Sequence, residues 1–119
     1  MNKFELEKRT LDFSKKLINV LRQLPRDLVN NTLMSQLIRS GTSIGANYRE
    51  ANGAESKRDF KHKINIVLKE SAETAYWLEL LIDANPNHLV FINPLFTESV
   101  EFVKIFGKVI STLSQNIKY

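Results

Sequence analysis

Cysteine is absent from all 119 residues, so neither a disulfide framework nor a thiolate metal site is available to this chain. Long apolar runs are missing too. Nowhere do about 18 apolar residues follow one another, and the first residues, Met1-Asn2-Lys3-Phe4-Glu5-Leu6-Glu7, have no apolar signal core. The expectation is a cytoplasmic protein without a membrane partner. Histidine occurs twice, which leaves little material for His-based catalysis. The three prolines stand at breaks between long periodic segments. There are no internal repeats and no low-complexity stretches.

One charge sign is missing locally. From Glu70 to Glu101 the acids Glu70, Glu73, Glu79, Asp83, Glu98 and Glu101 occur without a single Lys or Arg. Just before, Lys57, Arg58, Lys61, Lys63 and Lys69 face one acid, Asp59. A net charge of +4 and a pI near 9.4 permit nucleic-acid contact, and this distribution predicts a basic end and an acidic end.

What is present is helical periodicity. The length suits one domain, residues 1–119, with a real core. Phe13, Leu17, Leu21 and Leu24 predict a first helix over 4–24, with Asn2-x-x-Glu5 as a capping pair and Pro25 as its stop. Asp27 caps a second helix over 28–51, carrying Leu33, Leu37, Ile38, Ile44 and Tyr48, with Asn52-Gly53 as its end. Ser56-x-x-Asp59 opens a third helix to about Ala84. It bears one stripe of Phe60, Ile64, Val67, Ser71, Ala75, Leu78 and Ile82, and a second of Ile66, Glu73, Trp77 and Leu80. Asn85-Pro86-Asn87 breaks the chain, and His88–Ile92 reads as a short apolar connector. Asn93-Pro94 predicts the start of a fourth helix striped by Val103, Phe106, Ile110, Leu113 and Ile117 and widened by Phe102, Ile105 and Val109. Four long helices with short connections predict an all-α, antiparallel up-down four-helix bundle. Two stripes on helix three exceed what a monomer needs, which points to a further surface to bury.

The centre of the chain is Arg39-Ser40-Gly41-Thr42-Ser43-Ile44-Gly45-Ala46-Asn47. Gly41 and Gly45 each disfavour a helix by about 1 kcal/mol relative to alanine. Four residues apart, they share a face where another helix comes close. Arg39, Ser43, Asn47 and Glu50 fall near one face, with Glu70 and Glu73 within reach from helix three. A buried Arg–carboxylate network beside the glycines is the expected arrangement of this seam.

Gly41-x-Ser43-x-Gly45 matches the nucleophile elbow of serine hydrolases in letters only, because that motif requires a strand-to-helix turn. The only acid-x-x-His pair, Asp59-x-x-His62, lies among lysines and lacks the inward glutamates of a di-iron bundle. No phosphate-binding loop is present. The expectation is a non-enzyme with no catalytic residues, no metal and no cofactor. Lys57, Arg58, Lys61 and Lys63 form the candidate nucleic-acid surface, with Lys15, Lys16 and Arg22 as a second set. A charged run at a helix start is also an ordinary solvated face, and no aromatic interleaves this one in the manner of a single-strand platform.

Leu37-Ile38-Arg39-Ser40-Gly41-Thr42-Ser43-Ile44-Gly45-Ala46-Asn47, then Glu50-Ala51, Ala54-Glu55-Ser56-Lys57, Phe60, Lys63, Leu68-Lys69-Glu70 and Glu73-Thr74-x-x-Trp77-Leu78, together resemble the 23S rRNA-intervening sequence protein family. Its founding members are encoded in intervening sequences of large-subunit ribosomal RNA genes. The resemblance extends from Arg9-Thr10-Leu11-Asp12-Phe13 to the fourth helix. It implies an antiparallel four-helix bundle assembling into a ring-shaped homo-oligomer, a pentamer. Accessory proteins of diversity-generating retroelements are similar in fold and ring form and imply binding to nucleic acid and to a reverse transcriptase through basic surfaces. The competing expectation is a protein-interaction module with no nucleic-acid role.

Overall fold

In a computed structural model the chain is built from four helices: α1 (Lys3–Leu21), α2 (Leu28–Asn52), α3 (Lys57–Ala84) and α4 (Leu89–Lys118), with a short 3-10 helix, Pro86–His88, between the last two. The structure describes residues 1–118, with side chains described through residue 115; the expected stripe residue Ile117 lies outside the described side chains. Each helix packs on its sequence neighbours and α4 closes on α1. The register is antiparallel: α2 meets α1 where Gly41 faces Leu17 and Gly45 faces Thr10. It meets α3 where Ser40 bonds Thr74 and Asn30 bonds Asn85. The bundle measures 51 × 23 × 21 Å.

Local chemistry explains the helix starts. Asn2 Oδ1 accepts the Glu5 N–H at 2.9 Å while its amide donates to the Glu5 carboxylate, which makes the expected capping pair reciprocal. Asp27 accepts from Asn30 N–H at 2.8 Å and Ser56 from Asp59 N–H at 3.0 Å. Two boundaries differ from expectation. The first helix ends at Leu21 rather than Leu24, because tighter bonds from Gln23 N to Val20 O and Leu24 N to Leu21 O wind its last residues into a turn. The fourth helix starts at Leu89 rather than at Asn93, so the apolar connector is its first turn and Pro94 lies inside it. Pro94 removes one backbone donor, whose acceptor would have been the carbonyl of the exposed Val90, where water is at hand.

The core contains Phe13, Leu17, Leu21 and Leu24 from the first helix and its turn, Leu37, Ile44 and Tyr48 from α2, and Ile64, Val67 and Leu78 from α3. On α4 the fully buried line is Ile92, Ser99, Phe102 and Phe106. The expected stripe members Val103, Ile110 and Leu113 are only half-buried. Phe102 stands edge-on to Phe13 with ring centroids 5.4 Å apart and at 6.2 Å from Phe106, so a small aromatic stack closes α4 onto α1. Toward one end, Asn30 and Asn85 exchange two hydrogen bonds of 2.8 Å, and their remaining amide protons go to Pro25 O and Leu81 O. Every donor of this buried pair is therefore used, which such a pair requires.

Candidate functional site

The glycine pair serves the α1–α2 crossing. A Cβ at Gly41 would overlap the Leu17 side chain, and one at Gly45 would stand 3.1 Å from Thr10 Oγ1 and 3.4 Å from the Thr10 backbone carbon. Thr10 fits there because its hydroxyl turns back on its own helix, toward Leu6 O and Glu7 O at 3.0 Å each. Gly45 lets the two backbones approach closely, and Gly41 makes room for the Leu17 side chain.

Arg39 looks the other way, toward α3. It pairs with Glu70 at 3.2 Å and with Glu73, and Glu73 also accepts the Trp77 indole N–H at 3.0 Å. The Arg39 side chain is 49% exposed. The expected buried network beside the glycines is thus corrected on two counts: the ion pairs lie at the surface, and they occupy the face of α2 that meets α3, whereas the glycines occupy the face that meets α1. Four-residue spacing puts Gly41 and Gly45 on one stripe, but Arg39 falls about 160° round the helix from Gly41 at about 100° per residue. Ser43 and Asn47 do not join the network either; they donate to Arg39 O and Ser43 O of their own helix, and Glu50 is exposed. The Gly41–Gly45 pentapeptide lies in mid-helix, so the Ser43 hydroxyl has no elbow to stand on.

The basic run begins α3. Lys57 and Arg58 are exposed, and Lys61 and Lys63 are half-buried. Among the described residues none of the four takes part in a salt bridge. They do not form one face. Lys63 stands seven residues before Glu70 and eleven before Thr74, on the stripe that meets α2, whereas Lys61 lies about 160° away on the opposite flank. The outward ridge is Arg58, His62, Asn65 and Lys69, all exposed. Lys69 was available to sequence reasoning, since the 4-3-4 spacing from Arg58 is a helical stripe. Lys15 and Lys16 lie in the second half of α1 and Arg22 caps its end, all three exposed and away from the start of α3. Arg22 shares that end of the bundle with Glu79 and Asp83, so the end expected to be acidic is mixed.

A second charged feature was not anticipated. Arg9 donates from Nε and Nη2 to the Glu98 carboxylate at 2.7 and 2.6 Å and lies over the Phe102 ring, 5.5 Å from its centroid. The hydrogen-bonded Glu98 carboxylate holds the guanidinium above its ordinary pKa, against partial burial. This clamp bridges α1 and α4 beside a cleft of about 460 Å³ lined by Lys8, Asp12, Lys16, Pro94 and Leu95. Residues 89 apart in sequence leave no local signal of such a pair. At the other contact of α1, burial pushes the Tyr48 phenol up, partly offset by the Asn52 side chain, and Asn52 itself donates to Glu7 at 2.8 Å.

The described residues contain no group of three or more His, Cys, Asp or Glu placed to hold a metal, and no described helix is long and apolar enough to cross a membrane. The family profile described as 23S rRNA-intervening sequence protein matches residues 2–107. The chain belongs to that family. A crystal structure of a protein with unknown function from the S23 ribosomal protein family of Bacteroides thetaiotaomicron is similar to it, with 36% identity and a TM-score of 0.76 over 87% of this chain and 96% of that one. No curated protein matches the sequence. Family membership therefore fixes the fold and leaves the activity to be argued from the surface.

Proposed function

We propose that this member of the 23S rRNA-intervening sequence protein family is a non-enzymatic, self-assembling bundle that binds RNA or DNA, alone or within a nucleoprotein complex, through the basic half of α3. The observation that carries the reading is the run of Lys57, Arg58, Lys61 and Lys69, charged side chains without acidic partners among the described residues. Unpaired cations that keep their counterions in solution release them when phosphates arrive, which gives affinity without sequence preference. The absence of catalysis is supported by the engagement of Ser43 with its own helix.

The test is fluorescence anisotropy against labelled structured RNA and duplex DNA at low and at physiological salt. Binding that falls steeply with salt is expected, and replacing Lys57, Arg58, Lys61 and Lys63 together by Gln should weaken it across sequences and flatten its salt dependence. Within that set, Lys63→Gln alone should matter least, because Lys63 lies on the α2-facing flank. No binding at low salt would sink the proposal.

A second reading, a protein-interaction module without a nucleic-acid role, is favoured by the apolar residues left open at the other end of the bundle: Leu28 is 82% exposed and Val90 80%, with Val29, Leu89 and Phe91 also exposed. Apolar side chains this open on neighbouring turns mark contact with another chain. The ring-shaped homo-oligomer implied by the family resemblance, a pentamer, belongs to either reading.

A further inference from the structure

We propose that the outer ridge of α3 is a track for single-stranded nucleic acid, with phosphates on Arg58, His62, Asn65 and Lys69 and one base stacked on Tyr76. The proposal rests on the nucleic-acid reading above and narrows its partner from nucleic acid in general to an unpaired strand.

Geometry carries it. Positions 58, 62, 65, 69 and 76 fall within an arc of about 60° on a helix of 100° per residue, so the five side chains form one straight line about 27 Å long. All five are exposed. All five can donate hydrogen bonds, and Arg58 and Lys69 are cations. Arg58 and His62 share a shallow surface depression with Ser56 and Asp59, so the line begins in a concavity at the start of the helix.

Tyr76 breaks the polar pattern of this ridge. It is an aromatic ring, 57% exposed, in line with those polar side chains. Its ring meets Trp77 in a T-shaped contact with centroids 5.1 Å apart, and Trp77 is itself fixed by its indole bond to Glu73. An exposed ring braced by a neighbour can offer a π-face to a base, and every base has one. Of the acids near Tyr76, Glu70 and Glu73 share the single positive charge of Arg39, which offsets one of their two negative charges, whereas Glu79 and Asp83, beyond Tyr76, have no such partner among the described residues and mark where a phosphate track must stop. A duplex keeps its bases stacked inside and has none to offer Tyr76. A single strand does.

The structure also supplies the probe. Trp77 is the only tryptophan in the chain and touches Tyr76, so a base seated there should change its emission. The experiment titrates the full-length protein with a short oligothymidylate and with a short mixed-sequence duplex, following Trp emission and the anisotropy of a labelled strand. Tighter binding of the single strand is expected, with a change in Trp77 emission that the duplex does not produce. Tyr76→Ala should lower single-strand affinity about five- to a hundredfold while leaving duplex binding alone, and Tyr76→Phe should retain it. Arg58→Gln with Lys69→Gln should weaken both ligands and reduce the single-strand salt slope by about 1.4. Equal affinity for the two ligands, an unaffected Tyr76→Ala variant, or a change in sedimenting mass with Tyr76→Ala, which would place Tyr76 between copies of the chain, each overturns the proposal. Duplex binding without single-strand binding defeats this inference and leaves the broader nucleic-acid reading standing; failure of both ligands at low salt defeats both.

Discussion

At Gly41 the structure makes a demand that no other residue type meets. Leu17, which a Cβ there would strike, is fully buried, so its side chain would have to shift within the packed core. Gly41→Ala should therefore destabilise the fold by about 1–3 kcal/mol, the usual result of overpacking, despite the better helix propensity of alanine. A double-mutant cycle separates this clash from any other effect: Leu17→Ala opens the space, so the pair should be less destabilised than the sum of the two single changes when urea midpoints are compared. Gly107 is the contrast. Nothing lies within 4 Å of a Cβ built there, so Gly107→Ala should stabilise by about 0.5–1 kcal/mol. If both glycines responded alike, close approach would not be what fixes Gly41. The same distinction was visible in the sequence, where Gly41 and Gly45 are one turn apart and Gly107 stands alone.

Between elements, legibility followed the range of the interaction. Caps, helix number and most of the core faces of α1, α2 and α3 were readable because each is written within one turn or one stripe; Ile38, expected with the apolar residues of α2, is exposed instead. Asn2, Asp27 and Ser56 cap as their spacing requires. The start of α4 was not readable, because Asn93-Pro94 carries the local signature of a helix start, while Ile92 and Leu95, both buried against the other helices, hold the preceding turn in the helix as well. Tertiary burial overrode a local preference. At the candidate site, the cations were legible as a run, but their division between two flanks and a ridge follows only once Glu70 and Thr74 are seen to meet α2. The Arg9–Glu98 clamp had no local signal at all. It bridges α1 and α4, a contact that α1 makes with few residues besides Phe13, so it should carry weight. Both side chains remain just under a third exposed, which places the expected loss for Glu98→Ala at about 1–2 kcal/mol, between a solvated pair and a buried one. Hydrogen exchange should then show α1 opening more readily than α2 or α3. A loss shared evenly over all four helices would mean that the clamp does not tie α1 in particular.

For the whole molecule, antiparallel order sorts the surface into two ends with different chemistry. The ends of α2 and α4 and the starts of α1 and α3 share one end, where the α3 cations without acidic partners among the described residues lie, together with the exposed Met1 and Phe4. The starts of α2 and α4 share the other, with Leu28, Val29, Leu89, Val90 and Phe91 exposed. Association driven by apolar burial and phosphate contact driven by counterion release respond differently to salt, since screening weakens the second and leaves the first intact. The two activities should therefore separate by mutation. Replacing Leu28 and Val90 by Glu should shift the protein in sedimentation toward its 13.7 kDa chain mass with helical content by circular dichroism unchanged. If copies associate and bind a strand as proposed, each chain would then keep its phosphate contacts but lose the gain that comes from several linked copies on one strand. The glutamine replacements in α3 should do the reverse, weakening salt-sensitive binding at unchanged mass. If the Leu28 and Val90 substitutions left the mass alone, the exposed apolar end would not be the surface through which copies associate, and the half-buried apolar side chains of α4, Ile105, Val109 and Leu113, would be the next to substitute.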